Sequence, residues 1–234
     1  MLTPKYGLIK QNCYRNVINQ INLQAFKTKA VISVSLGGAH CLENPDSNER
    51  SIIANNPHSI VIIVEYDLKS VKNLLKSLTK VRREKRGFNY AYIAKMGTVT
   101  IEVYYGTLRH YLIWAATVSR KHHVVIADYY STLNRKVIED LKLLRGERLT
   151  AKNARLFITS ADPRRAITQD ICQLVLNRDT NTGNKSYKGG MRQYLKAFFT
   201  SKHSKVKDII MHNYTNCDVS KKAIEMYVAI MHLA

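Results

Sequence analysis

Ile60-Val61-Ile62-Ile63-Val64-Glu65-Tyr66-Asp67 runs straight into Leu68-Lys69-Ser70-Val71-Lys72-Asn73-Leu74-Leu75-Lys76, and the architecture turns on how this stretch folds. The opening run is short, β-branched and unbroken, which predicts a strand buried on both faces. Behind it Leu68, Val71, Leu74, Leu75 and Leu78 recur at helical spacing. Lys69, Lys72, Lys76, Lys80 and Arg83 recur at the same period on the opposite side of that helix. The pattern predicts a helix that docks one face on the strand and turns a row of cations outward. Arg82-Arg83-Glu84-Lys85-Arg86 carries the charge to its end, and Gly87 stops it.

Working outward, 88–95 and 98–105 are alternating runs joined at Met96-Gly97, a hairpin pattern. Residues 108–120 form an apolar helix holding the single tryptophan, Trp114, and 123–128 is a second buried strand ending in Asp128. The order β-α-β-β-α-β predicts an α+β fold with a ferredoxin-like (split βαβ) core. Upstream lie a weak amphipathic helix over 10–26, a strand over 30–36 broken by Gly37-Gly38, and a polar loop over 43–58. Gly37-Gly38 can be a plain turn or a phosphate cradle, without a Gly-x-Gly-x-x-Gly or Walker pattern. Downstream the reading is a helix over 132–144, a short strand over 154–159 and a helix from the Ser160-Ala161-Asp162-Pro163 start to about 177. A polar loop over 179–190 follows, then helices over 191–199, 206–212 and 219–233. Two domains result: 1–150, the core with its N-terminal extension, and 151–234, a mainly helical basic region.

Charge narrows the function. The chain of 234 residues carries 37 Lys+Arg against 17 Asp+Glu, a formal +20. That self-repulsion predicts a polyanionic partner, with salt-dependent binding through phosphate contacts. The partner expected is nucleic acid, DNA or RNA. The residues singled out to bind it are Lys69, Lys72, Lys76, Arg82, Arg83, Arg164, Arg165, Lys188 and Arg192; a solvated charged surface is the alternative use. Arg164-Arg165 begin a helix, where free amides and cations together suit a phosphate. No apolar run is long enough to span a bilayer, and the start, Met1 to Lys5, lacks a signal-peptide core. The four cysteines fit neither a zinc module nor a disulfide framework, so reduced thiols and a cytoplasmic, non-secreted protein are expected. Oligomerisation is open. Abundant Lys, Asn, Ile and Tyr point to a virus, phage or mobile element.

Three carboxylates could add chemistry. Glu65 and Asp67 lie two apart at one strand end, and Asp128 closes a second buried strand. Converged, they would be catalytic and metal-binding, holding Mg2+ for nucleotidyl transfer. Alternatively Asp67 caps the basic helix, with Glu65 and Asp128 paired to nearby Lys or Arg. Tyr90, Tyr92 and the pairs Tyr104-Tyr105 and Tyr129-Tyr130 can stack on bases or pack within the protein.

Residues 60–128 resemble the palm of archaeo-eukaryotic primases. Ile-Val-Glu-Tyr-Asp stands for the first motif and Val-Val-Ile-Ala-Asp for the third, while the middle motif falls at 86–90, without its histidine. The core is also similar to rolling-circle replication initiators, but His122-His123 are adjacent and cannot form their metal pair. The resemblance implies a role in replication or processing. The leading expectation is a nucleic-acid-binding protein with no certain cofactor. A metal-dependent nucleotidyltransferase or nuclease using Mg2+, and a basic structural or assembly protein such as a nucleoprotein, are the alternatives.

Overall fold

The computed structural model describes residues 23–129, 135–161, 187–200, 205–217 and 223–234. Its strands are β1 (Ile32–Leu36), β2 (Ile60–Glu65), β3 (Arg82–Arg86), β4 (Asn89–Met96), β5 (Val99–Tyr105), β6 (His122–Asp128), β7 (Thr150–Ala161), β8 (Val206–Cys217) and β9 (Ala223–Leu233). The helices are α1 (Asn48–Asn55), α2 (Leu68–Lys76), α3 (Leu108–Thr117), α4 (Arg135–Gly146) and α5 (Tyr187–Phe199).

All nine strands form one sheet in the order β3-β4-β5-β2-β1-β6-β7-β9-β8. The five central strands, β5, β2, β1, β6 and β7, are parallel. β4 and β3 add an antiparallel hairpin at one end, and β9 lies antiparallel between β7 and β8 at the other. The chain moves outward from β1 through β2 to β5, then returns to place β6 on the other side of β1. That reversal is the switch point of a doubly wound α/β sheet.

This corrects the ferredoxin-like expectation. Over 60–128 the structure adds one strand, β3, to the order read, and β1 inserts between β2 and β6, which a four-stranded antiparallel sheet would make neighbours. Parallel central strands need both faces covered. On one face α1 and α2 bury Ile52, Val71 and Leu74 against Val61, Ile63, Ile101 and Val103. On the other, Leu112 of α3, Leu141 and Leu144 of α4, and Leu195 and Phe199 of α5 pack against Ile62, Val64, Val125 and Leu156.

Local corrections follow. α2 ends at Lys76, where the Ser77 amide bonds to the Leu74 and Leu75 carbonyls, and Lys80 turns the chain through a left-handed φ of 51°. Arg82–Arg86 is therefore an edge strand. Gly87, φ 62°, is the first residue of a two-residue hairpin turn that only a residue tolerant of positive φ serves well. The polar stretch 43–58 contains α1, capped by Ser47, whose hydroxyl accepts from the Arg50 amide at 3.0 Å. Residues 206–212 and 223–233 are strands, not helices. The N-terminal segment to residue 22 and the helix start at 162–165 lie outside the described residues. Among the described residues no helix is long and apolar enough to cross a membrane.

Candidate functional site

In a doubly wound sheet, ligands bind beyond the carboxyl ends of the parallel strands, beside the switch point. Here that edge gathers Leu36-Gly37-Gly38 after β1, Glu65-Tyr66-Asp67 after β2, Tyr105-Gly106-Thr107 after β5, and Asp128-Tyr129 after β6.

Gly37 is required by space. A Cβ there would lie 2.5 Å from Ile63 Cγ2 and 3.1 Å from Cys41 Sγ, whereas one on Gly38 would meet nothing within 4 Å. The backbone thus folds tightly over β2 and opens outward one residue later. Cys41 beneath it is buried, and desolvation pushes its thiol well above the ordinary range, so it is packing rather than a nucleophile.

Glu65 is half-buried at the tip of β2 and accepts the Asp67 amide at 2.9 Å. Burial raises its carboxyl above the ordinary value, with the Asp67 and Tyr66 amides opposing. Tyr66, next to it, is 75% exposed. Asp67 caps α2: its Oδ2 accepts from the Ser70 amide and hydroxyl, each at 2.8 Å, and these bonds lower its pKa. Thr107 caps α3 through the His110 amide at 3.2 Å. A Cβ on Gly106 would lie 2.9 Å from the Tyr104 ring, so β5 also ends on a residue without a side chain. Across the switch point Asp128 is part-buried, and the Tyr129 hydroxyl donates to Asp140 of α4 at 2.8 Å.

Parallel strands put Glu65, Asp67 and Asp128 on one edge, yet they do not build the expected metal site. β1 separates β2 from β6, so the strand ends stand two spacings apart, about 9.5 Å, while paired metals sit about 3.5–4 Å apart. Asp67 is occupied by its cap. Among the described residues no group of three His, Cys, Asp or Glu is placed to hold a metal. The Mg2+ expectation is corrected accordingly.

The predicted cations divide. Lys69, Lys72 and Lys76 are exposed on α2. Arg83 and Lys85 pair with Tyr92 and Tyr90 and share the α2 side of the sheet, while Arg82 lies on the other side with Glu84, 2.9 Å away. Arg192 is exposed on α5, which packs against the opposite face, and Lys188 belongs to the same helix. Arg164 and Arg165 lie outside the described residues.

No family model and no curated protein matches the chain. Solved structures do. Trm1 from Pyrococcus horikoshii, in complex with S-adenosyl-L-methionine, matches at TM-score 0.58 and 14% identity over 100% of this chain and 56% of that one. A candidate RNA methyltransferase from the same organism matches at 0.53 and 12% identity, covering 95% of this chain and 82% of that one. Phosphoethanolamine N-methyltransferase 1 from Haemonchus contortus, holding phosphoethanolamine and S-adenosylhomocysteine, matches at 0.51 and 9%, over 94% and 40%. The fold is that of S-adenosylmethionine-dependent methyltransferases. This chain spans just over half of the Trm1 chain it matches.

The methyltransferase fold replaces the primase-like palm and what hung on it. Replication, metal-dependent nucleotidyl transfer and nuclease action lose the palm that suggested them, and the viral, phage or mobile-element source, read from composition, and the basic assembly role find no counterpart among these methyltransferase structures. Gly37-Gly38, open in sequence as a plain turn or a phosphate cradle, lies at this edge. The signal that could have found it was position: a glycine pair directly after the first strand of what proves to be a parallel sheet.

Proposed function

We propose that this chain is an S-adenosylmethionine-dependent methyltransferase whose substrate is nucleic acid, RNA being the class to test first. The observation that carries this reading is the edge of the sheet at the switch point, where a sterically required Gly37, an open Gly38 and the Glu65 carboxylate stand together on adjacent parallel strands. An acidic residue ending the second strand suits the hydroxyls of a nucleoside ribose. The exposed Tyr66 ring beside it offers a face to a purine. The open backbone at Gly38 leaves room for the cofactor's chain to approach.

When bound, S-adenosylmethionine supplies an electrophilic methyl group. The residues present do the rest. Glu65 fixes the nucleoside half, and the Asp67 amide holds that carboxylate in place. Asp128, at the end of β6 across the switch point, is the group assigned to orient the accepting base. The Tyr129–Asp140 hydrogen bond ties the end of β6 to α4. Lys69, Lys72, Lys76 and Arg83, exposed on one side of the sheet, are the cations proposed to hold substrate phosphates.

The reading is supported by the S-adenosyl-L-methionine held in the Trm1 structure, by the RNA methyltransferase named in the second likeness and by the +20 charge. The test is transfer of a labelled methyl from S-adenosylmethionine to bulk RNA by the purified chain. Incorporation lost in Asp128→Ala, with cofactor binding retained, supports it. Incorporation into neither RNA nor DNA removes the substrate assignment.

A further inference from the structure

The β3–β4 hairpin extends the sheet past β5 and takes no part in the edge residues described above. It joins a bare aromatic to a row of cations. Phe88, the second residue of its turn, is 101% exposed, the most exposed large hydrophobic residue described. A phenylalanine so placed contributes nothing to the core, and exposing it carries a solubility cost. Among the described residues β3 has no strand beyond it, and Arg82, Arg83 and Lys85 are all exposed along it. Arg83 lies over the Tyr90 ring at 4.5 Å, which holds the guanidinium on the α2 side of the sheet.

Register fixes where the turn points. β4 runs antiparallel to β5, with Tyr90 opposite Tyr105, so the Gly87-Phe88 turn leaves the sheet at the same edge as Glu65 and Gly106. From β4 to β1 is three strand spacings, about 14 Å. That is the reach of two or three nucleotides of extended single strand. The hairpin is also held firmly. Arg86, just before the turn, is buried against Glu102 of β5 and lies over Trp114 of α3 at 4.4 Å. Its tip is therefore a rigid arm.

We infer that this hairpin is a substrate arm for single-stranded polynucleotide, with Phe88 stacking on a base near the target and Arg83 and Lys85 contacting the phosphates beside it. Charge complementarity selects the occupant, since an apolar protein partner would not call for cations along the strand. A flat exposed ring beside phosphate-binding cations is how single strands are held without sequence preference. Duplex offers its base faces to no such ring. The inference rests on the nucleic-acid substrate reading above.

The test is fluorescence anisotropy of a labelled single-stranded 20-mer oligoribonucleotide and of the same sequence as a duplex, across a salt series. Phe88→Ala should weaken single-strand binding roughly five- to a hundredfold, the range for one lost stack, and leave duplex binding unchanged. Replacing Arg83 and Lys85 together by Ala should flatten the salt dependence by roughly 1.4 in log–log slope. S-adenosylmethionine binding should be the same in every variant. Phe88→Ala affinity within twofold of the parent, or equal losses on single strand and duplex, would overturn the arm and leave the methyltransferase reading standing. No binding of either probe by the parent protein would instead remove the substrate reading itself. Because Phe88 packs on nothing, its replacement does not threaten folding.

Discussion

Glu102 is the residue whose removal should do most harm for its size. It is 3% exposed on β5, and its Oε2 accepts from Arg86 and, at 2.6 Å, from Arg120. Both guanidiniums lie over Trp114, so α3, β5 and the hairpin meet at one carboxylate. Glu102→Ala leaves two cations facing each other with no anion between them. Breaking a buried pair in this way costs about 3–5 kcal/mol. Two features place this case near the lower end: Arg120 is partly open to water, and Arg86 keeps Glu84 at 3.3 Å. We expect a loss of about 3 kcal/mol, a large part of the ~5–15 kcal/mol typical of a domain. For a chain of this size that lowers Tm by roughly 6–12 °C. Urea unfolding followed by the fluorescence of the single tryptophan, Trp114, reads the change directly, since that ring sits in the network. Arg82→Ala, which breaks only the exposed contact with Glu84, is the control and should cost no more than about 1 kcal/mol. A Glu102→Ala loss as small as the control's would refute the account of how the hairpin is anchored.

Gly37→Ala should cost about 1–3 kcal/mol through overpacking on Ile63 and should abolish cofactor binding in whatever fraction stays folded, measured by calorimetry and by urea melts. Glu65→Ala should weaken S-adenosylmethionine binding about tenfold or more, the worth of one charge-assisted hydrogen bond, and leave the melting curve within a few degrees of the parent; unchanged affinity would remove Glu65 from the site. His122 is buried, its Nδ1 donating to the Leu149 carbonyl at 2.8 Å and its Nε2 accepting from the Tyr111 hydroxyl at 2.7 Å. Burial lowers its pKa to about 4, so it is neutral in the native state. The unfolded chain then binds the extra proton below about pH 6.5. This residue's contribution to stability is full above that pH and falls by up to about 3 kcal/mol as pH drops toward 4. His122→Gln should show a shallower acid-side slope in urea melts between pH 4 and 7.

The local pieces of the central fold were legible in the sequence. The run Ile60–Val64, the helical period from Leu68 to Lys76, the hairpin at Gly97 and the strand before Asp128 all carry their own signals, and the elements lie there. Which strands become neighbours is not written in such signals. Edge strand β3 aside, the same β-α-β-β-α-β order serves a ferredoxin-like sheet and half of a doubly wound one, and the difference is whether β1 inserts between β2 and β6. The C-terminal strands were hidden for another reason. Met226 to Met231 is buried throughout because β9 is covered on both faces, so it shows no alternation, and Met and Ala favour helix when read locally. Arg82–Arg86 carries no strand signal of its own, because its charges continue the period of α2. A strand at the sheet's edge tolerates such charge, and charge there also blocks unwanted pairing. Of the site, the acids were visible but their purpose was not: Glu65 and Asp128 suggested metal chemistry until strand order set β1 between them.

The central claim is that the edge beside Gly37 and Glu65 holds S-adenosylmethionine. Isothermal titration of the purified chain with S-adenosylmethionine tests it most directly. The account predicts one site per chain, competed by S-adenosylhomocysteine and weakened by Glu65→Ala. No heat of binding and no rise in melting temperature at millimolar cofactor, from a protein shown to be folded, would contradict it.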